Sequence, residues 1–185
     1  MDPVLREAKP DIVLVHGDTT TSFAAALAAF YQQIPVGHVE AGLRTGNIYS
    51  PFPEEMNRLL TGRIASYHFA PTKRNEENLL KENVSKNIFI TGNTVIDAFK
   101  TTVKDDYKFS NPVLQEMDYA KHRVILVTAH RRENLGEPLK QICRAVKGLT
   151  EKYPDIKVVY PVHLNPAVRE TVYQILSNNS QVELL

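Results

Sequence analysis

Acidic and imidazole side chains recur at the ends of the first two strands predicted in this 185-residue chain. His16 and Asp18 end the first strand, and His38 and Glu40 end the second. Ligands of open parallel sheets bind at the carboxyl ends of strands, and a spacing of two places both side chains of a pair on one face. Two chemistries fit this pattern. The four groups either ligate a divalent metal, or perform metal-free acid–base catalysis with carboxylates whose pKa values are pushed apart.

A further acid, Glu54, lies near the end of residues 38–55, HVEAGLRTGNIYSPFPEE. Connecting loops are usually shorter than this segment. Its two glycines let the backbone pass close to a ligand, and its two prolines restrict the approach to Glu54. We therefore predict that the segment is more than a connecting loop, with Glu40 and Glu54 set at its two ends.

Positive groups follow the first strand of the second half of the chain, in residues 128–134, TAHRREN. The guanidinium groups of Arg131 and Arg132 are suited to bidentate phosphate binding, and a nearby phosphate favours the cationic form of His130. A solvated charged turn is the alternative interpretation of an isolated Arg-Arg pair.

The next strand of the second half ends in a similar way, because His163 is followed by Asn165 and Pro166, a typical helix start. The N-terminus of a helix attracts anions. The first half thus offers carboxylates and the second half positive groups. We predict a cleft that holds a phosphorylated ligand with its reacting part against the acids.

Strand and helix patterns alternate along the chain, which predicts an α/β fold with parallel sheets and right-handed crossovers. The predicted strands are DIVLVHGD, IPVGHVE, SYHFAPT, NIFITGN, RVILVTAH, IKVVYPVH and QVELL. The predicted helices are TTTSFAAALAAFYQQ, KRNEENLLKENV, TVIDAFKTTV, EPLKQICRAVKGLTEKYP and NPAVRETVYQILSN. The composition of the first strand indicates burial on both faces. Thr19 to Thr21, or Ser22, are predicted to cap the first helix.

Residues 104–122 interrupt the alternation with charged and aromatic residues. We therefore predict an N-terminal domain over residues 1–103, an interdomain segment over 104–122 and a C-terminal domain over 123–185. The second domain stops at the start of a strand, so we expect it to be truncated.

A formal charge of +1 provides no field for nucleic acid or a membrane surface. Cys143, the single cysteine, excludes an internal disulfide and a cysteine zinc site, and its apolar helix predicts a core thiol. The N-terminus lacks a signal-peptide pattern, so we expect a cytoplasmic protein. Neither GxGxxG nor GxxxxGK[ST] occurs, so no dinucleotide or P-loop fingerprint is present.

Six ordered motifs together resemble the non-hydrolysing, bacterial-type UDP-N-acetylglucosamine 2-epimerases: HGDTTTSFAAALAAF, HVEAGLRTGNIYSPFPEEMNR, FAPT, ITGNTVID, VTAHRREN and HLNPAV. The resemblance implies two Rossmann-like domains of glycosyltransferase-B type, a homodimer, and no metal or other cofactor. It also implies interconversion of UDP-N-acetylglucosamine and UDP-N-acetylmannosamine by UDP elimination and re-addition through a 2-acetamidoglucal.

Carried over by motif, the resemblance implies catalytic roles for Asp18, Glu40, Glu54 and His130. It implies substrate-binding roles for His16, His38, Arg44, Arg131, Arg132, His163 and Asn165. Family members are longer, and this chain corresponds to roughly their middle half. We therefore expect both domains to be incomplete and the chain alone to be inactive. A glycosyltransferase of the same architecture and a non-catalytic nucleotide-sugar-binding fragment are the alternatives, and a metal-dependent hydrolase is a weaker one.

Overall fold

The computed structural model describes residues 2–185 and contains two compact units, one extending to Asp105 and the other comprising Asp106–Leu185. Each unit has one parallel sheet, which confirms the predicted α/β class. The first unit contains α1 (Asp2–Ala8), β1 (Val13–His16), α2 (Thr20–Tyr31), β2 (Val36–Val39), α3 (Glu54–Ile64), β3 (Tyr67–Ala70), α4 (Lys73–Lys81), β4 (Ile88–Ile90) and α5 (Thr94–Thr102). The second contains α6 (Pro112–Glu116), β5 (Arg123–Leu126), α7 (Glu137–Lys152), β6 (Ile156–Tyr160), α8 (Pro166–Leu176) and β7 (Val182–Leu184), with a 3₁₀ turn at Arg132–Asn134.

The strands of the first sheet lie in chain order, β1-β2-β3-β4, and all pairs are parallel. Right-handed crossovers between sequential strands place α2, α3 and α4 on one face of the sheet. Val15 and Val36 are buried on that face, whereas Leu14 is 61% exposed. The prediction that the first strand is buried on both faces was therefore wrong, because its helices cover one face.

Helix α2 begins where its cap was predicted. The Thr19 hydroxyl accepts a hydrogen bond from the amide of Ser22 at 3.2 Å, which satisfies an N–H group of the first turn. Further along the helix, Ala26 and Ala29 are fully buried among the side chains of Val15 and Val36. The helix therefore packs closely on the sheet and fixes the chain immediately after β1.

The second sheet has the order β5-β6-β7. Its core is built from α7 and α8, whose buried residues recur at helical spacing: Leu139, Cys143 and Val146 on α7, and Val168, Val172 and Leu176 on α8. Cys143 is fully buried, which confirms its interpretation as a core thiol, and burial raises the pKa of this thiol.

Residues 106–122 belong to the second compact unit. They include α6, whose N-cap residue Asn111 accepts hydrogen bonds from the amides of Val113 and Leu114. An aromatic cluster flanks this helix, since the ring of Phe109 contacts those of Tyr107 and Tyr119. The predicted domain limits at residues 103, 104–122 and 123 stay predictions.

Three helices, α1, α3 and α6, were not predicted from the sequence. Helix α3 matters for the site because it begins at Glu54, directly after the long segment that follows β2. None of the helices in residues 2–185 has the length and apolar character needed to cross a bilayer.

Gly42 fixes the start of the segment between β2 and α3. Its φ is +82°, and a Cβ at this position would lie 2.2 Å from the carbonyl oxygen of Asn75. The carbonyl of Gly42 also accepts hydrogen bonds from the side-chain amides of Asn75 (3.3 Å) and Asn78 (2.9 Å). The segment therefore starts in direct backbone contact with α4.

We expect Gly42→Ala to lower the free energy of unfolding by on the order of 4 kcal/mol, because it combines a left-handed backbone with a clash against main-chain atoms. Gly46→Ala is the matched control. Its φ is +79° but no atom lies within 4 Å of the added Cβ, so only the conformational cost of about 1 kcal/mol applies. Urea unfolding of both variants measures the difference. Equal losses would contradict the packing described for Gly42.

Candidate active site

The first two strands end before their acids. Strand β1 ends at His16 and β2 at Val39, so Asp18 and Glu40 lie in the turns that follow. The prediction that each imidazole shares a strand face with its acid was therefore wrong. Glu40 instead has a φ of 64°, and its Oε1 lies 3.1 Å from Nε2 of His16 on the neighbouring strand. The structure thus pairs His16 with Glu40 across the two strand ends.

His38 supports the turn that carries Asp18. Its fully buried Nε2 lies 2.8 Å from the carbonyl oxygen of Gly17, so this nitrogen carries the proton and donates it. The amide of Gly17 donates to the carbonyl of Val39 at 3.0 Å. Both backbone groups of Gly17 are therefore held, and a fully buried His38 ring offers no surface to a ligand. The predicted substrate-binding role of His38 has no support in this arrangement.

Burial is the main reason that the pKa of His38 falls from 6.5 to about 4. The hydrogen bond to Gly17 opposes this shift, and the charges of His68, Arg44 and Arg58 add to it. The ring is consequently neutral at physiological pH, in the tautomer that donates to Gly17.

Asp18 is held by two residues of α3. Nη2 of Arg58 donates to Oδ2 of Asp18, and the side-chain amide of Asn57 donates to the Asp18 carbonyl oxygen at 2.9 Å. Arg58 also lies 3.4 Å, through Nη1, from Oε2 of Glu55. None of these three α3 residues was predicted as a site residue. Glu55 and Arg58 are three positions apart in EEMNR, a spacing typical of paired charges on a helix, and this signal would have identified them.

The two adjacent acids at the start of α3 have different surroundings. Glu54 is partly buried and makes no side-chain hydrogen bond among residues 2–185. Glu55 is 1% exposed, and its Oε1 accepts hydrogen bonds from the amides of Thr45 (2.9 Å) and Gly46 (3.0 Å). Of the pair, Glu54 is therefore the acid whose carboxylate is left to act on a ligand.

Arg44 is engaged by the protein itself. Its Nε and Nη2 donate to the two carboxylate oxygens of Glu82 at 2.6 and 2.8 Å, and Nη1 donates to the carbonyl of Leu43 at 2.8 Å. The side chain is 9% exposed. This bidentate pair fastens the loop to the C-terminal end of α4. The predicted substrate-binding role of Arg44 therefore has no support in this arrangement.

In the second unit, the imidazoles of His130 and His163 stack with ring centroids 5.0 Å apart and an angle of 25°. Nδ1 of His163 accepts a hydrogen bond from the amide of Asn165 at 3.0 Å. The side chain of Asn165 caps α8 by accepting from the amide of Ala167 at 3.0 Å. The structure thus brings together two of the predicted residues, while Asn165 orients one of them and begins the helix.

Arg131 and Arg132 follow His130 and are both exposed. Nη1 of Arg131 lies 3.7 Å from Oε1 of Glu133, a long contact for an ion pair. An exposed pair of this length contributes little to stability. Both guanidinium groups are therefore accessible to an anion.

A buried tyrosine supports this loop from below. The Tyr160 hydroxyl donates to the carbonyl oxygen of Ala129 at 2.8 Å, and Ala129 directly precedes His130. Burial is the main reason that the pKa of Tyr160 is raised, and the nearby Cys143 raises it further. Sequence patterns gave no signal for this contact, because Tyr160 is an ordinary residue at the end of an apolar strand.

The whole chain, residues 1–185, matches a family model described as UDP-N-acetylglucosamine 2-epimerase. The chain belongs to this epimerase family. The resemblance drawn from the six motifs is therefore confirmed, and the members of this family are isomerases, as the resemblance implied.

Several proteins of the epimerase family are similar to this chain over its full length. The UDP-N-acetylglucosamine 2-epimerase of Bacillus subtilis (strain 168) is 57% identical over 186 residues, which cover 100% of this chain and 48% of that protein. A structure of S. aureus MnaA with UDP has a TM-score of 0.93 and 51% identity, covering 100% of this chain and 50% of that one. The Neisseria meningitidis enzyme bound to UDP-GlcNAc has a TM-score of 0.85 and 47% identity, with coverages of 100% and 51%.

This member of the epimerase family therefore spans about half the length of the relatives it matches. The structural neighbours confirm the predicted glycosyltransferase-B type fold class. Residues 2–185 contain no group of three or more His, Cys, Asp or Glu side chains placed to hold a metal ion. Instead, His16 contacts Glu40, and Asp18 contacts Arg58. The predicted roles of individual site residues stay predictions.

We expect the buried His38 to make this epimerase-family protein less stable in acid. The unfolded chain takes up a proton on this ring below pH 6.5, whereas the folded protein does so only near pH 4. The free energy of unfolding should therefore fall by on the order of 3 kcal/mol as the pH drops through this window. Urea unfolding at several pH values measures the fall. His38→Gln retains a donor for Gly17 but does not titrate, so identical pH slopes for the two proteins would refute the assignment.

We expect Tyr160→Phe to change the position of His130. The variant removes the donor to Ala129, which should cost about 1 kcal/mol of stability and shift the proton NMR signals of the His130 ring. Tyr173→Phe is the matched control in the same unit, because this tyrosine is 39% exposed and its hydroxyl makes no hydrogen bond among residues 2–185. His130 signals that move equally little in both variants would show that Tyr160 does not support the loop.

Proposed function

We propose that this chain carries the proton-transfer groups of an enzyme that interconverts UDP-N-acetylglucosamine and UDP-N-acetylmannosamine. The observation that carries the proposal is the set of three carboxylates in the first unit with three different surroundings. Glu40 contacts an imidazole, Asp18 contacts a guanidinium, and Glu54 has no hydrogen-bonding side-chain partner among residues 2–185. Epimerisation at C2 needs one group that removes a proton and another that delivers one. Carboxylates in different surroundings can take these two roles.

The proposed reaction begins with removal of the proton on C2 of the sugar. The electron pair of that C–H bond forms a double bond between C1 and C2, and the bond from C1 to the diphosphate oxygen breaks. UDP leaves with the bonding electrons and a 2-acetamidoglucal remains. Re-addition of UDP at C1, with protonation of C2 on the opposite face, gives the epimer. Asp18, Glu40 and Glu54 are the proposed acid and base groups.

His16 gives Glu40 a route for exchanging protons with solvent. Its imidazole is 3.1 Å from the Glu40 carboxylate, and its side chain is 58% exposed. One ring nitrogen of an imidazole can accept a proton while the other donates one, so His16 can pass protons between Glu40 and solvent between turnovers. This supports a role for His16 in proton exchange with Glu40 rather than in nucleotide binding.

The second unit supplies groups suited to the departing UDP. The rings of His130 and His163 are stacked and exposed, and the guanidinium groups of Arg131 and Arg132 are accessible. Cationic donors stabilise the negative charge that develops on a leaving diphosphate. We assign UDP binding to these four residues. A homodimer, implied by the family resemblance, is part of the same proposal.

The test uses UDP-N-acetylglucosamine in D₂O, with NMR following deuterium at C2 and the appearance of the manno epimer. Because the chain spans about half of its relatives, we expect little or no exchange by the chain alone. We expect exchange from a chimera in which this chain replaces the matching 186 residues of the Bacillus subtilis relative. Asp18→Asn, Glu40→Gln, Glu54→Gln and His130→Asn should each slow it by about 10²-fold or more.

Two results of this test would overturn the proposal. One is a folded chimera that binds UDP and yet exchanges no deuterium. The other is full activity in all four variants. Turnover only in the presence of a sugar acceptor would indicate a glycosyltransferase instead. Glu77→Gln, an exposed charge on α4, is the control for nonspecific effects of removing a carboxylate.

A further inference from the structure

Glu55 is a carboxylate that the proposed reaction does not use, although it is the most buried acid near the site. An ionised carboxylate with 1% exposure is costly unless hydrogen bonds and an opposite charge compensate it. Oε1 receives two backbone N–H groups, from Thr45 and Gly46, and Oε2 faces Arg58 at 3.4 Å. Both oxygens are therefore occupied by the protein, which indicates an internal task.

Arg58 connects this buried carboxylate to Asp18. Its Nη1 faces Glu55 and its Nη2 donates to Asp18, while its own side chain is 15% exposed. The planar guanidinium holds its nitrogens in fixed geometry, so the position of one carboxylate constrains that of the other. Asp18 lies 40 residues from Arg58 in the chain, and Thr45 lies 10 residues from Glu55. The contact thus joins separate segments.

The first turns of α3 therefore hold both segments that contain proposed acids. Asn57 adds a hydrogen bond of 2.9 Å to the carbonyl of Asp18. Glu55 holds Thr45 and Gly46, in the segment that leads to Glu54.

We propose that Glu55 is a positioning residue that acts through Arg58 to fix the carboxylate of Asp18. The same side chain also holds the Thr45–Gly46 backbone. The distance between the Asp18 carboxylate and this loop therefore stays constant. This proposal rests on the proposed function, because it assumes that Asp18 takes part in the proton transfers. It assigns the two acids of PFPEE different tasks: Glu54 acts on the substrate, and Glu55 holds the site together.

The amide isostere separates the two tasks of Glu55. In Glu55→Gln the side-chain oxygen can still accept from Thr45 and Gly46, but the NH₂ group then faces Nη1 of Arg58, donor against donor. The loop contact should survive and the Arg58 contact should be lost. Glu55→Ala removes both contacts.

The experiment is NMR on the 185-residue chain without substrate, following the carboxyl ¹³C signal of Asp18 and the amide exchange of Thr45 and Gly46. Glu55→Gln should move the Asp18 carboxyl signal and change the two exchange rates little. Glu55→Ala should move that signal and also speed both rates at least about tenfold, because both amides lose a hydrogen bond to a carboxylate. Arg58→Met should move the Asp18 signal in the same direction. Glu77→Gln, which removes an exposed carboxylate on α4, should leave the Asp18 signal and both exchange rates unchanged.

An Asp18 carboxyl signal that stays in place in Glu55→Gln while it moves in Arg58→Met would overturn the proposal, because Glu55 would then hold only the loop. An unchanged signal in both variants would overturn it as well. Arg58→Met also serves if Glu55→Gln does not fold. An Asp18 signal that stays in place in Arg58→Met would by itself show that Arg58 does not hold Asp18, and would refute the proposal. The readout needs no turnover, so a folded, UDP-binding chimera without deuterium exchange would refute the proposed function and leave this test intact.

Discussion

The hydrogen bond from the buried His38 imidazole to the carbonyl of Gly17 is the contact on which the first strand ends depend. Gly17 stands between His16 and Asp18, and its amide is held by Val39. The turn is therefore fixed from both sides, on one of them by an imidazole that water does not reach. A neutral imidazole makes this possible at low cost, because a buried charge would need a partner of opposite sign. The side chains of His16 and Asp18, on either side of Gly17, are therefore not needed to hold the turn and can contact a ligand.

Helix α3 adds a second layer of fixation. Its side chains bind the turn after β1 and the loop after β2. Both of these segments lie outside the strands. Residues in contact with ligand are often exposed and therefore poorly constrained by packing. Here the constraint comes from buried polar groups behind them, and the same division recurs in the second unit, where Tyr160 lies behind His130. Both units thus place a hydrogen-bond donor from their interior under the backbone next to a proposed site residue.

The sequence predicted the alternation of elements, the parallel sheets and the α2 cap, because these depend on local periodicity and capping chemistry. It also located the strand-end residues that form the candidate site, whose individual roles stay predictions. It did not predict which groups pair: His16 was grouped with Asp18, yet contacts Glu40, and Arg44 was assigned to substrate, yet binds Glu82. Such pairings depend on tertiary distances between segments up to 40 residues apart, which spacing along the chain does not encode. Burial of β1 was overestimated for a related reason, since composition does not say how many faces helices cover.

The single cysteine has a practical consequence. Cys143 lies on α7 in the middle of the second core, and no solvent reaches it in the folded state. Reaction of a thiol reagent with this protein must therefore wait for the second unit to open. The rate of labelling therefore reports the opening of the second unit alone, independently of changes around the strand ends of the first unit. Because thiolate is the reactive form and burial raises the thiol pKa, closed molecules contribute almost nothing to the signal.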